Sequence, residues 1–283
     1  MAGRRCTEVT TFVRNPVPER ESLDFRPLIL GGFAAMVLIA FLTAPGNIAT
    51  KAHIALHGLC AQRPSHSLQI GDTTLPMDAR MTGIYLGAAA TVVWLIAVRR
   101  LRATRLPSRP VLVLLAAFVV ALAVDGVNAL FVDLQLPTMY EPSNFIRLAT
   151  GVLAGTALGL ALGHVFASSI WAHGDRERAV VMKPVELLAP IGASAVVALL
   201  ALSDVPMLYA PFAVGLVVAA VGVFWFLGIV VLALLSNGGW SYQTWSDLTP
   251  LALTSLIVSI VTVAALAGLR FAAEQMLGLP RLT

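Results

Sequence analysis

Residues 150–165 read TGVLAGTALGLALGHV, a run with no Asp, Glu, Lys or Arg and with glycine at 151, 155, 159 and 163. The length and apolarity suit a membrane-spanning helix, since a bilayer core about 30 Å thick needs about 20 residues of helix. Four-residue spacing sets the glycines along one slowly drifting stripe, where a second helix backbone can come close. Gly83 and Gly87 repeat the device in an earlier apolar run. Two uses fit such a stripe, a helix-packing seam and a route for a substrate along the seam.

The rest of the chain supports the membrane reading. It is 58% hydrophobic and 12% charged, with mean hydropathy +0.85, and about 25% charged residues is usual for a soluble domain. There is too little charge to coat a water-facing surface. The expected fold class is all-α, a polytopic integral membrane helix bundle with the lipid bilayer as its main partner. The net charge of +4 is what loops of such a protein collect for topological reasons. Basic residues are not interleaved with aromatics, so no nucleic-acid partner is expected.

Seven segments are long and apolar enough to span: 27–45, 82–98, 110–134, 147–172, 185–203, 209–235 and 249–273. Prolines stand at several starts (Pro110, Pro184, Pro250), where the missing N–H costs nothing. The boundary at 203–211, SDVPMLYAP, is short, and 185–235 reads either as two spans or as one broken span. The division is a basic tail over 1–26, a first span, a core over 46–172 and a C-terminal three-helix part over 173–283. The tail holds five arginines and no apolar run of signal-peptide length, so it is expected to be cytoplasmic and retained. With the N-terminus inside, 13 Lys and Arg fall on the inner side and six on the outer. That asymmetry predicts a plasma-membrane protein with its N-terminus inside and its C-terminus outside. Cys6 and Cys60 then lie on opposite sides and cannot form a disulfide.

The polar exceptions converge on the predicted outer mouth of the second to fourth spans. Asp125 falls within the third span, with Asn128 three and Asp133 eight residues on, giving that helix one polar face. Ser143, Asn144 and Arg147 open the fourth span; Arg80 and Tyr85 lie at the start of the second. An ionised Asp inside a membrane needs a partner, and Arg80 or Arg147 is the expected one. Upstream, His57, Cys60, Gln62 and Asp78 crowd the loop. On a helix, His57 and Cys60 would share a face. Structural zinc takes four N or S ligands, and the spacing supplies no second His or Cys. No cofactor is therefore expected and no metal, with His57, Cys60 and Asp78 the residues that would contribute were one held. His164 lies near the inner end, positioned either to face a cavity or to bond a neighbouring helix.

The stretch 57–87, HGLCAQRPSHSLQIGDTTLPMDARMTGIYLG, resembles the signature of the predicted membrane proteins grouped as domain of unknown function 2085. His57, Cys60, Gln62, Pro64, Ser67, Gly71, Pro76, Ala79, Arg80, Gly83, Ile84, Tyr85 and Gly87 match its pattern. Downstream, Asp125, Gly126, Asn144, Arg147, Thr150, Gly151 and Gly155 fit as well, so the likeness covers about 57–163. Two family cysteines are replaced by Asp78 and Met81, and a family arginine by His66. One His and three Cys would resemble a zinc site; this chain keeps His57 and Cys60 of that set. The resemblance implies a membrane protein and brings no activity with it.

Three functions follow as expectations. The first is binding or translocation of a small solute, ion or lipid at an outward polar cluster. Asp125, Arg147 and Arg80 would set its charge, and Asn144, Gln62, Tyr85 and Asn128 would add hydrogen bonds. The second is an accessory subunit, or a homo-oligomer, packing through the glycine-lined helices (Gly151, Gly155, Gly159, Gly163, Gly83, Gly87). The third is an outer-leaflet enzyme with Cys60 as nucleophile and His57 as base.

Overall fold

The computed structural model describes residues 25–236 and 238–278. Most of the basic tail, Cys6 and Arg281 lie outside the described residues. Among those described there are eight α-helices: α1 (Arg26–Thr43), α2 (Ile48–Leu56), α3 (Ala79–Ala97), α4 (Arg109–Asp133), α5 (Asn144–Ile170), α6 (Leu188–Ala201), α7 (Tyr209–Leu235) and α8 (Trp245–Leu277). All but α2 belong to segments long and apolar enough to cross a membrane, α6 and α7 each with the 3-10 turn that precedes it. The segment 185–235 is two helices. Asp204, with φ 52, turns the chain between them.

The local chemistry explains the helix starts. Asn47 accepts from the Thr50 N–H at 2.7 Å to open α2, and Ser143 accepts from the Ile146 N–H to open α5. Such caps satisfy amides that no helical carbonyl reaches. Thr244 and Asp247 form a reciprocal capping box, so α8 begins at Trp245. Pro250 therefore lies inside that helix rather than at its start.

Helices α3 and α5 form the centre. A Cβ at Gly83 would sit 2.5 Å from the Leu148 carbonyl oxygen, and one at Gly87 2.9 Å from that of Val152. From the other side, a Cβ at Gly151 would strike the Arg80 carbonyl, one at Gly155 the Ile84 carbonyl, and one at Gly159 would lie 2.7 Å from Thr91 Cβ. Five of the six predicted glycines thus meet backbone across one seam, and the sixth, Gly163, faces the Leu95 side chain. Between the two uses the sequence allows, the seam is packing; nothing could pass along it without separating the helices. Helix α1 has no buried residue and lies against α8 at the edge.

At one end of the bundle, an antiparallel hairpin joins β1 (Ser67–Ile70) to β2 (Thr73–Asp78). This is a departure from a purely helical reading. Gly71, with φ 61, is the first of two turn residues, a position that favours glycine in tight hairpins. The Gly71 N–H donates to Asp204 at 2.6 Å and Tyr209 Oη donates to the Thr74 carbonyl, so the hairpin lies on the α6–α7 turn. At the opposite end, β3 (Ala103–Arg105) pairs in parallel with β4 (Asp175–Ala179). There Trp171 donates to the Leu101 carbonyl at 2.8 Å, and the Arg102 guanidinium stacks over its ring at 4.2 Å. Trp171 meets Trp245, the first residue of α8, edge-on at 4.7 Å, so the start of α8 closes this end. His164, on α5 toward the same end, has a buried Nδ1 with no hydrogen-bond partner among the described residues.

The seam gives a direct expectation. Gly155→Leu would push α3 off α5 and cost more than the about 1–3 kcal/mol of ordinary overpacking, because backbone cannot give way. Gly126, with nothing within 4 Å of its would-be Cβ, should accept alanine with an unchanged or slightly raised Tm. Thermal unfolding of the two variants in detergent checks both.

Candidate functional site

The hairpin end carries the cluster of polar residues, and the structure divides it into two networks with a pocket beside them. The first network is built on Asp125, which is 1% exposed on α4. Its Oδ2 accepts from Arg80 Nε at 2.9 Å and from the same guanidinium's second nitrogen; its Oδ1 accepts from Tyr140 Oη at 2.9 Å. Of the two expected partners, Arg80 is the one taken. Asn128, one turn along α4, donates to the Tyr140 carbonyl and accepts from the Met139 N–H. It fixes the loop that brings Tyr140 over Asp125. Asp125 and Asn128 are therefore spent inside the protein, holding Arg80 in place. At the rim, Arg63 pairs with Asp133 at 2.8 Å.

The second network surrounds His57. Helix α2 ends at Leu56 with His57 as its C-cap, so the helical premise that would put His57 and Cys60 on one face does not hold. Gln62, left-handed at φ 56, donates its amide to the carbonyls of His53 and Pro76 at 2.9 and 3.0 Å. Its Oε1 is thereby turned to His57 Nδ1 at 2.9 Å, while His57 Nε2 meets Glu274 Oε2 at 2.9 Å. Both ring nitrogens face acceptors, and the ring stacks on Phe271 at 4.1 Å. Arg270 binds Glu274 Oε1 at 2.8 Å and donates to the backbone carbonyls of His57, Cys60 and Ala61. Two α8 residues thus clasp the loop. Gly58 makes this possible, because a Cβ there would strike the α8 backbone at Leu266 and Ala267. Glu274 and Gly58 escaped the sequence reading. Their partners lie more than 200 residues away in the chain, and the available signal was an acid at the end of an apolar helix.

Cys60 is buried, and its Sγ accepts from the Asp78 N–H at 3.2 Å. Burial pushes the thiol up to about 11, outweighing that hydrogen bond. His57 forms no hydrogen bond with Cys60, so the arrangement supplies no thiolate–imidazole pair. Tyr85 is buried in the core cluster with Cys60, and its hydroxyl has no hydrogen-bond partner among the described residues. No three His, Cys, Asp or Glu side chains among the described residues converge as metal ligands.

Beside both networks lies a cavity of about 250 Å³ walled by Cys60, His66, Asp78, Arg80, Met81 and Arg147. Arg147, in the first turn of α5, is 8% exposed. Its Nη1 donates to Asn144 Oδ1 at 2.9 Å. Asn144 has no choice of orientation, since its amide nitrogen donates to the carbonyls of Ser65 and Ser67 on the hairpin side. Asp78 Oδ1 accepts from the Arg63 N–H at 3.1 Å and lies 3.5 Å from the Ser67 hydroxyl. Burial, and then the Arg147 charge, push the His66 imidazole down, so it stays neutral near pH 7. Of the predicted binding residues, Arg80 and Arg147 reach the pocket wall, joined there by Asp78, which the sequence offered as a metal ligand; Gln62, Asn128 and Asn144 make their hydrogen bonds within the protein.

Residues 60–161 match the model of a family described as "Predicted membrane protein (DUF2085)", consistent with the resemblance read from the residues. The match takes in the hairpin, α3, α4 and most of α5, and with them every side chain lining the pocket except Leu59. No curated protein and no solved structure matches the chain.

With its thiol held at about 11, Cys60 should alkylate about two orders of magnitude more slowly at pH 8 than a free cysteine, and about tenfold faster per pH unit above that. Glu274→Ala, by releasing Arg270 and His57 from the loop, should raise that rate severalfold. Iodoacetamide kinetics in a Cys6→Ser background read both effects.

Proposed function

We propose that this membrane protein binds a small polar solute in the pocket between the hairpin, α3 and α5. Its hairpin end would face outward across the plasma membrane. The observation that carries the reading is the pocket itself: a space of about 250 Å³ at the mouth of an apolar bundle, lined in part by charged side chains. Its charged walls are held by dedicated neighbours. Asp125, Tyr140 and Asn128 fix Arg80, and Asn144 fixes Arg147. Intramembrane charges are costly and are kept where they serve a site. The outward orientation rests on the 13 to six distribution of Lys and Arg. The closed α3–α5 seam favours binding over open conduction; translocation would require those helices to part.

Native mass spectrometry of the full chain in nanodiscs tests this reading. The expected result is a protomer or homo-oligomer carrying a small molecule that is lost in Ala61→Trp, which fills the pocket from an exposed wall position. Co-purifying foreign chains with an empty pocket would instead make this an accessory subunit.

A further inference from the structure

Resting on that pocket, we infer that its ligand carries an oxyanion, a carboxylate or phosphate group, that pairs with Arg147. The other described arginines at this end of the protein each have a carboxylate partner. Arg80 is neutralised by Asp125, Arg63 by Asp133, and Arg270 by Glu274. Arg147 has no carboxylate within 4 Å among the described residues, and its one hydrogen bond goes to a neutral amide. A guanidinium offers five N–H donors, and its planar fork suits two-point pairing with a carboxylate or phosphate.

Three features make the unliganded state unfavourable for this cation. It is more than nine-tenths buried, where an ion without a partner is destabilising. It stands in the first turn of α5, at the positive end of the helix dipole. Arg80, a like charge, lines the same cavity. A bound oxyanion relieves all three at once, and the α5 N-terminus would add its own attraction. His66, neutral at the rim, offers a hydrogen bond without adding charge. Asp78 is the one acidic wall residue, and the Arg63 amide holds one of its oxygens toward the hairpin. It would weaken a simple anion and favour a ligand that also bears a positive group. The oxyanion could arrive on a free solute or on a lipid headgroup, because the pocket lies at a helix end.

The test follows thermal unfolding of the full chain in neutral detergent by tryptophan fluorescence, with inorganic phosphate replacing chloride at constant ionic strength. Wild type should gain several degrees in a saturable manner. Arg147→Gln should lose that gain, yet unfold at or above the wild-type temperature without phosphate, because it removes a buried cation that has no ion-pair partner. Asp78→Asn should lower the half-saturating concentration severalfold. In a parallel arm, native mass spectrometry from phosphatidylcholine nanodiscs containing phosphatidic acid looks for that lipid on wild type and its absence on Arg147→Gln. A lipid adduct identifies a headgroup as the source, and a phosphate response alone identifies a free anion. If Arg147→Gln unfolds well below wild type and neither probe binds, Arg147 is a structural cation and the inference is overturned. A small molecule that Arg147→Gln retains and Ala61→Trp expels would remove the oxyanion while leaving the pocket reading intact.

Discussion

The contact on which this structure depends is the meeting of the α3 and α5 backbones through glycine. In a bilayer, apolar side chains gain little by leaving lipid for one another, so close van der Waals approach has to supply the attraction. The seam also sets the chemistry. Gly151 admits the Arg80 carbonyl against α5 just one turn beyond Arg147. Two arginines on different helices are thereby brought to one cavity wall, an arrangement that like-charge repulsion alone would prevent.

Around that seam the protein places its charges in layers. The Asp125–Arg80 pair is braced from the rim side, by Asn128 and Tyr140. The Glu274–His57–Gln62 network is built from the side, by the end of α8. Each group in these layers has its hydrogen bonds made within the protein, as burial in a low-dielectric region demands. The pocket is the place where this completeness stops, with Arg147 the buried cation there that has no carboxylate partner.

The C-terminal helices contribute more than bulk. They lie outside the matched segment 60–161, yet α8 provides Arg270 and Glu274 to the loop that walls the pocket, and the α6–α7 turn holds the hairpin tip through Asp204. The loop that carries Cys60 is therefore shaped by residues from both ends of the chain. Its cysteine is kept protonated by the same enclosure, which turns a residue with nucleophilic potential into part of a packed wall.

The helical class, the seven apolar spans and the glycine seam were legible in the sequence, because length, apolarity and four-residue spacing are local properties that a membrane converts directly into structure. Residue types also marked the charged mouth, since Asp and Arg inside apolar runs are costly enough to stand out. The pairing was not legible. Arg80 and Arg147 were equal candidates for Asp125, and which one it took depended on how α4 sits against α3. Gln62 and Asn144 read as ligand contacts in sequence, and in the structure each is oriented by backbone carbonyls, those for Asn144 coming from more than 70 residues away. Glu274 stood out locally as an acid at the end of an apolar helix, but nothing near it in sequence pointed to His57. Spans and seams are decided by neighbours in sequence; the assignment of each charge is decided by neighbours in space.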